Sequence, residues 1–388
     1  MVTMQQLPAK TDVFIVGGGP AGLVAALAAR KKGLEVTLAD GGQPPIDKAC
    51  GEGLMPDGVE ALRRLGVSLN AADGASFRGI RFLDQGLSVE ALFPHAKCGI
   101  GLRRTRLHQI LADAAESAGA NAYWKTPVEA LGADGVRVAG REVQCQWIIG
   151  ADGLHSRIRR WSNLELAWSG ARRIGIRQHF RVEPWTDLVE VYWNHHCQAN
   201  VTPTGPDEIC IAMIGTGKHV RVADLPGLFP ALASHLRHAK PMGPPRGAIT
   251  MSSRLSTVTD ARIALIGDAS GTVDAVTGEG MHLAFRQAEA LAEALVSGDL
   301  RSYSIAHRRL RRMPQLMARL LLMLDGNDAL RRAAFRSLRA FPPIFSALLA
   351  FHVGGLPAAK YSLARSEGLL GLPAFTRVLT RAGHVRQQ

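Results

Sequence analysis

The stretch TDVFIVGGGPAGLVAALAARKKGLEVTLAD, Thr11 to Asp40, decides how the chain begins to fold. DVFIV is apolar on both faces, as a strand inside a parallel sheet must be. AGLVAALAARKKG is an alanine-rich helix that closes on a basic turn and a glycine, and EVTLAD is the returning strand. Gly17-Gly18-Gly19-Pro20-Ala21-Gly22 lies between the first strand and the helix and fits G-x-G-x-x-G. Gly17 permits a tight turn, Gly19 lets a pyrophosphate approach the backbone, and Gly22 lets the helix pack on the strand. The helix N-terminus offers free N–H groups and partial positive charge to phosphates. Asp40, ending the second strand, can accept hydrogen bonds from ribose hydroxyls. Together these residues read as a β-α-β dinucleotide unit.

Two further stretches repeat the strand-to-glycine transition. In IIGADGLHSRIRR, Ile148 to Arg160, a buried strand stops at Gly150 and Asp152-Gly153 turns into a basic segment. LIGDASGTVDAVTGEGMHLAF, Leu265 to Phe285, puts Gly267-Asp268 at a strand end and Gly278-Glu279-Gly280-Met281 at a helix start. A carboxylate in such a loop can hold a polyol, and the helix N-terminus behind it can stabilise a developing anion.

The bulk of the sequence sets limits. With 388 residues, 47% of them hydrophobic, the chain can bury a large core, in two closely joined domains. The five cysteines lack zinc-ligand spacing, so free thiols and no metal are expected, in a cytoplasmic protein. No apolar run is long enough to span a bilayer. The net charge of +13 is uneven: fifteen Lys or Arg against three Asp or Glu lie between Arg301 and Gln388. Aromatics are only 6%, and no reader motif interleaves them with basic residues, so nucleic acid is not an expected partner. The arginine clusters and apolar faces of the tail suit either a helical cap or peripheral membrane contact.

Along the chain, residues 1–170 read as the first part of the dinucleotide domain. It includes a looped region after Asp40 and a second helix in TRLHQILADAAESAGA. Residues 171–255 alternate apolar and polar, which predicts an antiparallel sheet; 256–300 return to the first domain; 301–388 are helical and basic.

The three glycine stretches, in this order and spacing, resemble the FAD signatures of the para-hydroxybenzoate-hydroxylase-type flavoprotein superfamily. That superfamily includes aromatic hydroxylases, halogenases and geranylgeranyl-reductase-like enzymes. The resemblance covers about residues 11 to 300 and implies an α/β fold. Its parts are a Rossmann-like FAD-binding domain (GR2-type), an inserted antiparallel β-sheet substrate domain and a C-terminal helical region. It implies that Gly17, Gly19, Pro20, Ala21 and Gly22 cradle the pyrophosphate, and that Asp40 with Gly41 meets the ribose. It further implies that Val128 contacts adenine through its backbone, and that Asp152 and Gly267-Asp268 serve the pyrophosphate and ribityl portions. Gly278, Gly280 and Met281 then border the pyrimidine edge of the ring. Arg104 matches the family's cofactor arginine, with Arg103 and Arg106 close enough in sequence to compete for that role.

Within the superfamily, DKACGEGL (Asp47 to Leu54) and GTVDAVTGEG resemble the reductase-like branch, although Ala275 stands where that branch commonly has proline. Halogenases carry W-x-W-x-I-P, which VYWNHHCQANVTP lacks. The favoured expectation is a monooxygenase that uses reduced FAD and O₂ on a hydrophobic small molecule. The alternative is an ene reductase of an isoprenoid or similar lipid. Only one dinucleotide fingerprint is present, so NAD(P)H would dock transiently or a flavin-reducing partner would supply electrons. Cys50 and His282 are the catalytic candidates, and Lys48 is a candidate anion contact. His179, Trp193, His195 and His196 alternate on the predicted sheet, where some must face the substrate.

Overall fold

In the computed structural model, which describes residues 6–216 and 220–354, the opening strand Lys10–Val16 lies at the centre of an eight-stranded sheet. It runs parallel to Val36–Ala39 on one side and to Arg141–Gly150 on the other. Asn121–Tyr123 and Ile263–Leu265 extend the parallel pairing outward. Val13, Phe14 and Ile15 are wholly buried, which is why no alternation marks this strand in the sequence.

Register explains how distant motifs meet. Val16 pairs with Gly150, and Gly150 pairs with Leu265. Three strands therefore end at one level, and Gly17, Ala151-Asp152 and Gly267 leave the same sheet edge. Carboxyl ends of parallel strands are where such sheets bind ligands.

The second sheet has seven strands, in the order Lys240–Leu255, Leu166–Arg181, Glu208–Gly215, Cys197–Gly205, Val189–Trp193, Gly79–Asp84, Leu87–Leu92. It is larger than the antiparallel unit expected over 171–255. The hairpin 79–92 comes from the stretch read as looped, and it joins through one parallel pairing, Val189–Trp193 with Gly79–Asp84. Strand edges left unpaired at Val189–Trp193 recruit this hairpin. A small third sheet joins Gly53–Leu54, Gly99–Gly101 and Ala75–Phe77.

The seven-stranded sheet has two unlike faces. Cys197, Ala199, Val201, Ile209, Ile211 and Met213 point into a core closed by Leu225, Phe229 and Leu232. Cross-strand partners show that the opposite face carries His179–Cys210–Thr202 in one row and Arg177–Ala212–Asn200 in the next.

The C-terminal helices cap both parts. Leu300–Asp325 buries Tyr303, His307, Arg311, Pro314 and Ala318 at helical spacing. Tyr303 Oη donates to Leu265 O at 2.7 Å, and Arg311 donates to the carbonyls of Gly271, Thr272 and Ser253. Asp328–Ala340 and Pro342–His352 cover the hairpin instead. There Arg331 pairs with Asp84, Phe335 stacks on Phe82, and Phe345 packs on the same ring at a tilt. The described part of the basic region is therefore a helical cap; residues 355–388 of it lie outside the described residues.

Candidate active site

The phosphate cradle is built from backbone. Gly17 has φ +111°, and a Cβ there would lie 2.5 Å from Ala151 O. A Cβ on Gly22 would lie 1.9 Å from Gly17 O, so this position admits glycine alone. At Gly19 the corresponding space is empty within 4 Å, and the helix Pro20–Lys31 begins there with neither a side-chain cap nor an acidic first turn. Its free N–H groups and partial positive charge face the gap left above Gly19. Ala21 forms the first turn and lies against Gly267, where an added Cβ would be 2.8 Å away.

Asp40 is held by two backbone donors, Gly18 N to Oδ2 and Gly42 N to Oδ1, each 2.6 Å. This fixes the carboxylate beside the cradle, with Gly41 packed on Pro127. Val128, buried, begins the adjacent strand Val128–Leu131, and Thr126 N bonds Asp40 O. His108 was not singled out by the sequence. Its Nε2 lies 2.8 Å from Gly18 O, and the ring packs on Trp124.

Asp152 lies beside Gly17, but its carboxylate caps the short helix Arg157–Trp161 by accepting from Arg157 N and Ile158 N. In this way its carboxylate shapes the loop beside the cradle. Arg159 fastens this loop to the third motif, donating to Leu154 O and Ala269 O.

Of the three arginines that competed in the sequence, the structure separates Arg104. Arg103 grips Glu208 through several bonds and Arg106 pairs with Asp73. Arg104 is buried, and its Nη1 has no partner. Burial lowers its pKa, while Cys50, Asp268, Asp47 and Glu52 act in the opposite sense. A buried guanidinium with an unused donor needs an acceptor from outside the chain. Asp268 itself holds Lys48 Nζ at 2.9 Å, so Lys48 meets a carboxylate of the chain. The loop Gly278-Glu279-Gly280 is bare: a Cβ at either glycine would meet nothing within 4 Å. Met281 follows in the helix Gly280–Ser297, packed on the main core.

These features fit FAD. An open Gly19, an uncapped helix end, a fixed carboxylate, an orphaned arginine and a bare ring loop follow one another along one edge of the sheet.

The segment Asp47–Glu52 meets the polar face of the second sheet. Glu52 is 2% exposed and holds φ +60°, a left-handed conformation rare outside glycine. Its Oε1 accepts from Arg104 N at 3.0 Å, and its Oε2 lies 2.6 Å from His179 Nε2. Arg177 Nη1 is 2.9 Å from His179 Nδ1. Because arginine can only donate, His179 Nδ1 accepts and Nε2 carries the proton toward Glu52. Arg177 also pairs with Asp47. The Cys210 sulfur lies within 4.8 Å of the Glu52 and His179 ligand atoms, and its thiol donates to Cys50 O. Burial raises the pKa of Cys50 and pushes that of Cys210 well above the usual thiol range. Both sulfurs therefore keep their protons at neutral pH.

Of the four alternating residues, only His179 joins this cluster. Trp193 packs with Phe82 and Phe335, and His195 faces Asp328 at the exposed surface. His282 is not part of this cluster: its Nδ1 lies 3.0 Å from Asp57. Neither Glu52 nor Arg177 was foreseen; GEG flanking a carboxylate, Gly51 to Gly53, was the only local signal.

The family described as FAD binding domain matches residues 10–227. The chain belongs to this flavoprotein family. Menaquinone reductase of Mycobacterium tuberculosis (strain ATCC 25618 / H37Rv) is 30% identical over 317 residues, covering 74% of this chain and 77% of that protein. Digeranylgeranylglycerophospholipid reductase of Methanosarcina acetivorans is 26% identical over 319 residues, with 74% and 77% covered. Among solved structures, p-nitrophenol 4-monooxygenase PnpA from Pseudomonas putida DLL-E4 superposes with a TM-score of 0.76. It is 15% identical and covers 89% of this chain and 97% of that one. The last likeness concerns fold alone. As a member of this family the chain is an FAD-dependent oxidoreductase of the para-hydroxybenzoate-hydroxylase type.

Proposed function

We propose that the chain reduces a carbon–carbon double bond of a hydrophobic isoprenoid-type substrate. The observation that carries this reading is a proton-bearing cluster on the polar face of the second sheet: buried Glu52, His179 and Arg177, with half-buried Cys50 accepting at its sulfur from Glu52 N. Alkene reduction needs a hydride equivalent on one carbon and a proton on the other. FAD, once bound and reduced, supplies the former.

The chain supplies the proton. Cys50, whose thiol stays protonated, gives it to the second carbon, and the guanidinium groups of Arg104 and Arg177 stabilise the thiolate left behind. Glu52 and His179, joined at 2.6 Å, hold the segment and return a proton to the sulfur. The reductase names of the two relatives support this reading over the oxygen-dependent reaction that the sequence favoured. NAD(P)H, docking transiently, is the proposed electron donor.

The substrate is proposed to be met at a membrane surface. Arg301, Arg308, Arg312 and Arg319 are exposed along one face of Leu300–Asp325, with Ile305 and Met323 among them. Among the described residues no helix is long and apolar enough to cross a membrane.

The deciding experiment is single turnover of chemically reduced holoprotein on isoprenoid quinones and polyprenyl lipids, run without oxygen. Saturated product under these conditions supports the proposal. Turnover only with O₂, and labelled oxygen in the product, replaces it with the monooxygenase reading. Co-sedimentation with anionic vesicles at low salt tests the membrane step, and its absence removes that step.

A further inference from the structure

Around Glu279 and the helix that follows it lies a group of titratable side chains that the reaction above does not use. Glu279, 3% exposed, sits between the two loop glycines with Oε1 3.6 Å from His352 Nδ1. His352 ends the last described helix and also bonds the backbone of Thr277. His282 Nδ1 lies 3.0 Å from Asp57 Oδ2. Three buried atoms in this group have no partner: Glu279 Oε2, His282 Nε2 and His352 Nδ1. Three orphans in one place call for water. A cavity of about 810 Å³ touches all three residues and reaches the surface between Lys31, Arg286 and Arg309.

We propose that Glu279, wired through His352 and His282 to this cavity, is a proton store that offsets the negative charge gathering on the flavin pyrimidine edge during reduction. The inference rests on the FAD site and not on which substrate follows. Above pH about 8, where Glu279 is ionised beside oxidised cofactor, reduction by a two-electron donor draws one proton from solvent onto its carboxylate, and that proton returns on reoxidation. The charged groups facing Glu279 are Asp57 and His282, His352, and Arg286 on its own helix. Burial and the nearby Asp57 charge raise the Glu279 pKa to about 8, and burial lowers that of His352 to about 4. At neutral pH the store is full; it empties above pH about 8.

The test uses holoprotein reduced anaerobically by dithionite, with proton uptake and flavin midpoint potential followed against pH. Wild type takes up extra protons per two electrons above pH about 8, up to one, and its potential falls more steeply there. Glu279→Gln shows neither effect but keeps its FAD. Identical uptake and slope in the two proteins overturns the proposal. Should the variant fail to fold, infrared spectroscopy of the unaltered protein decides: a buried carboxylic acid band that disappears around pH 8 supports the assignment. Absence of any such band at neutral pH overturns it. Failure of wild type to hold FAD would instead strike the cofactor reading.

Discussion

The two ends of the cofactor site are made of different material. The phosphate end is backbone: Gly17, Gly19 and Gly22 act by lacking side chains, and a helix end provides the charge. The ring end is side chain: Glu52, Arg104, Arg177, His179 and Cys210 come from four separate stretches and meet only after folding. Backbone sites tolerate almost no substitution, whereas side-chain sites can lose chemistry and keep their shape.

Gly22→Val tests the first half most severely. Its Cβ would overlap Gly17 O, so the purified variant should carry no flavin and melt well below wild type. A variant that still retained stoichiometric FAD would break the contrast. Glu52→Gln tests the second half. Turnover should fall about 10²- to 10⁴-fold, the usual worth of a positioned acid–base group. FAD affinity, measured by fluorescence quenching, should stay close to wild type, because the glutamine amide oxygen can still accept from Arg104 N. A parallel collapse of both quantities would erase the distinction.

Arg104→Met lies at the seam. Losing one charged hydrogen bond costs about 1.5–3 kcal/mol, so the FAD Kd should rise about 10- to 150-fold while reduced enzyme still turns over at saturating cofactor.

The smallest effect separates the halves by pH. Glu279 has a folded pKa of about 8 against an ordinary 4.5, and His352 about 4 against 6.5. Between pH about 6.5 and 8 only Glu279 counts. The folded state binds more protons there, so stability of the flavin-free protein falls as pH rises, by up to about 1.4 kcal/mol per unit. Between pH about 4.5 and 6.5 His352, kept unprotonated by folding, pulls the other way and the slopes cancel. Thermal melts of Glu279→Gln should lose the decline above pH 6.5.

Legibility followed the same division. The phosphate end could be read because glycine spacing and strand–helix context are local, so Gly17 to Gly22 and Asp40 announced themselves. Arg104 was only one of three candidates, since adjacent arginines differ in burial and partners, which no local pattern encodes. The hairpin 79–92 passed as loop because its strands are short and pair with a segment a hundred residues away. His179 was one of four alternating residues until cross-strand register put it opposite Cys210. Glu52 hid between glycines, and its partners could not be guessed without the fold.

Arg311, far along the chain, holds the carbonyls of Gly271 and Thr272 just beyond Asp268, and His352 grips Thr277. During synthesis, then, the ribosome must release the chain through His352 before the ring pocket is complete. Premature termination anywhere in the last described helix should yield a colourless product, even though every phosphate-binding residue has long since been made.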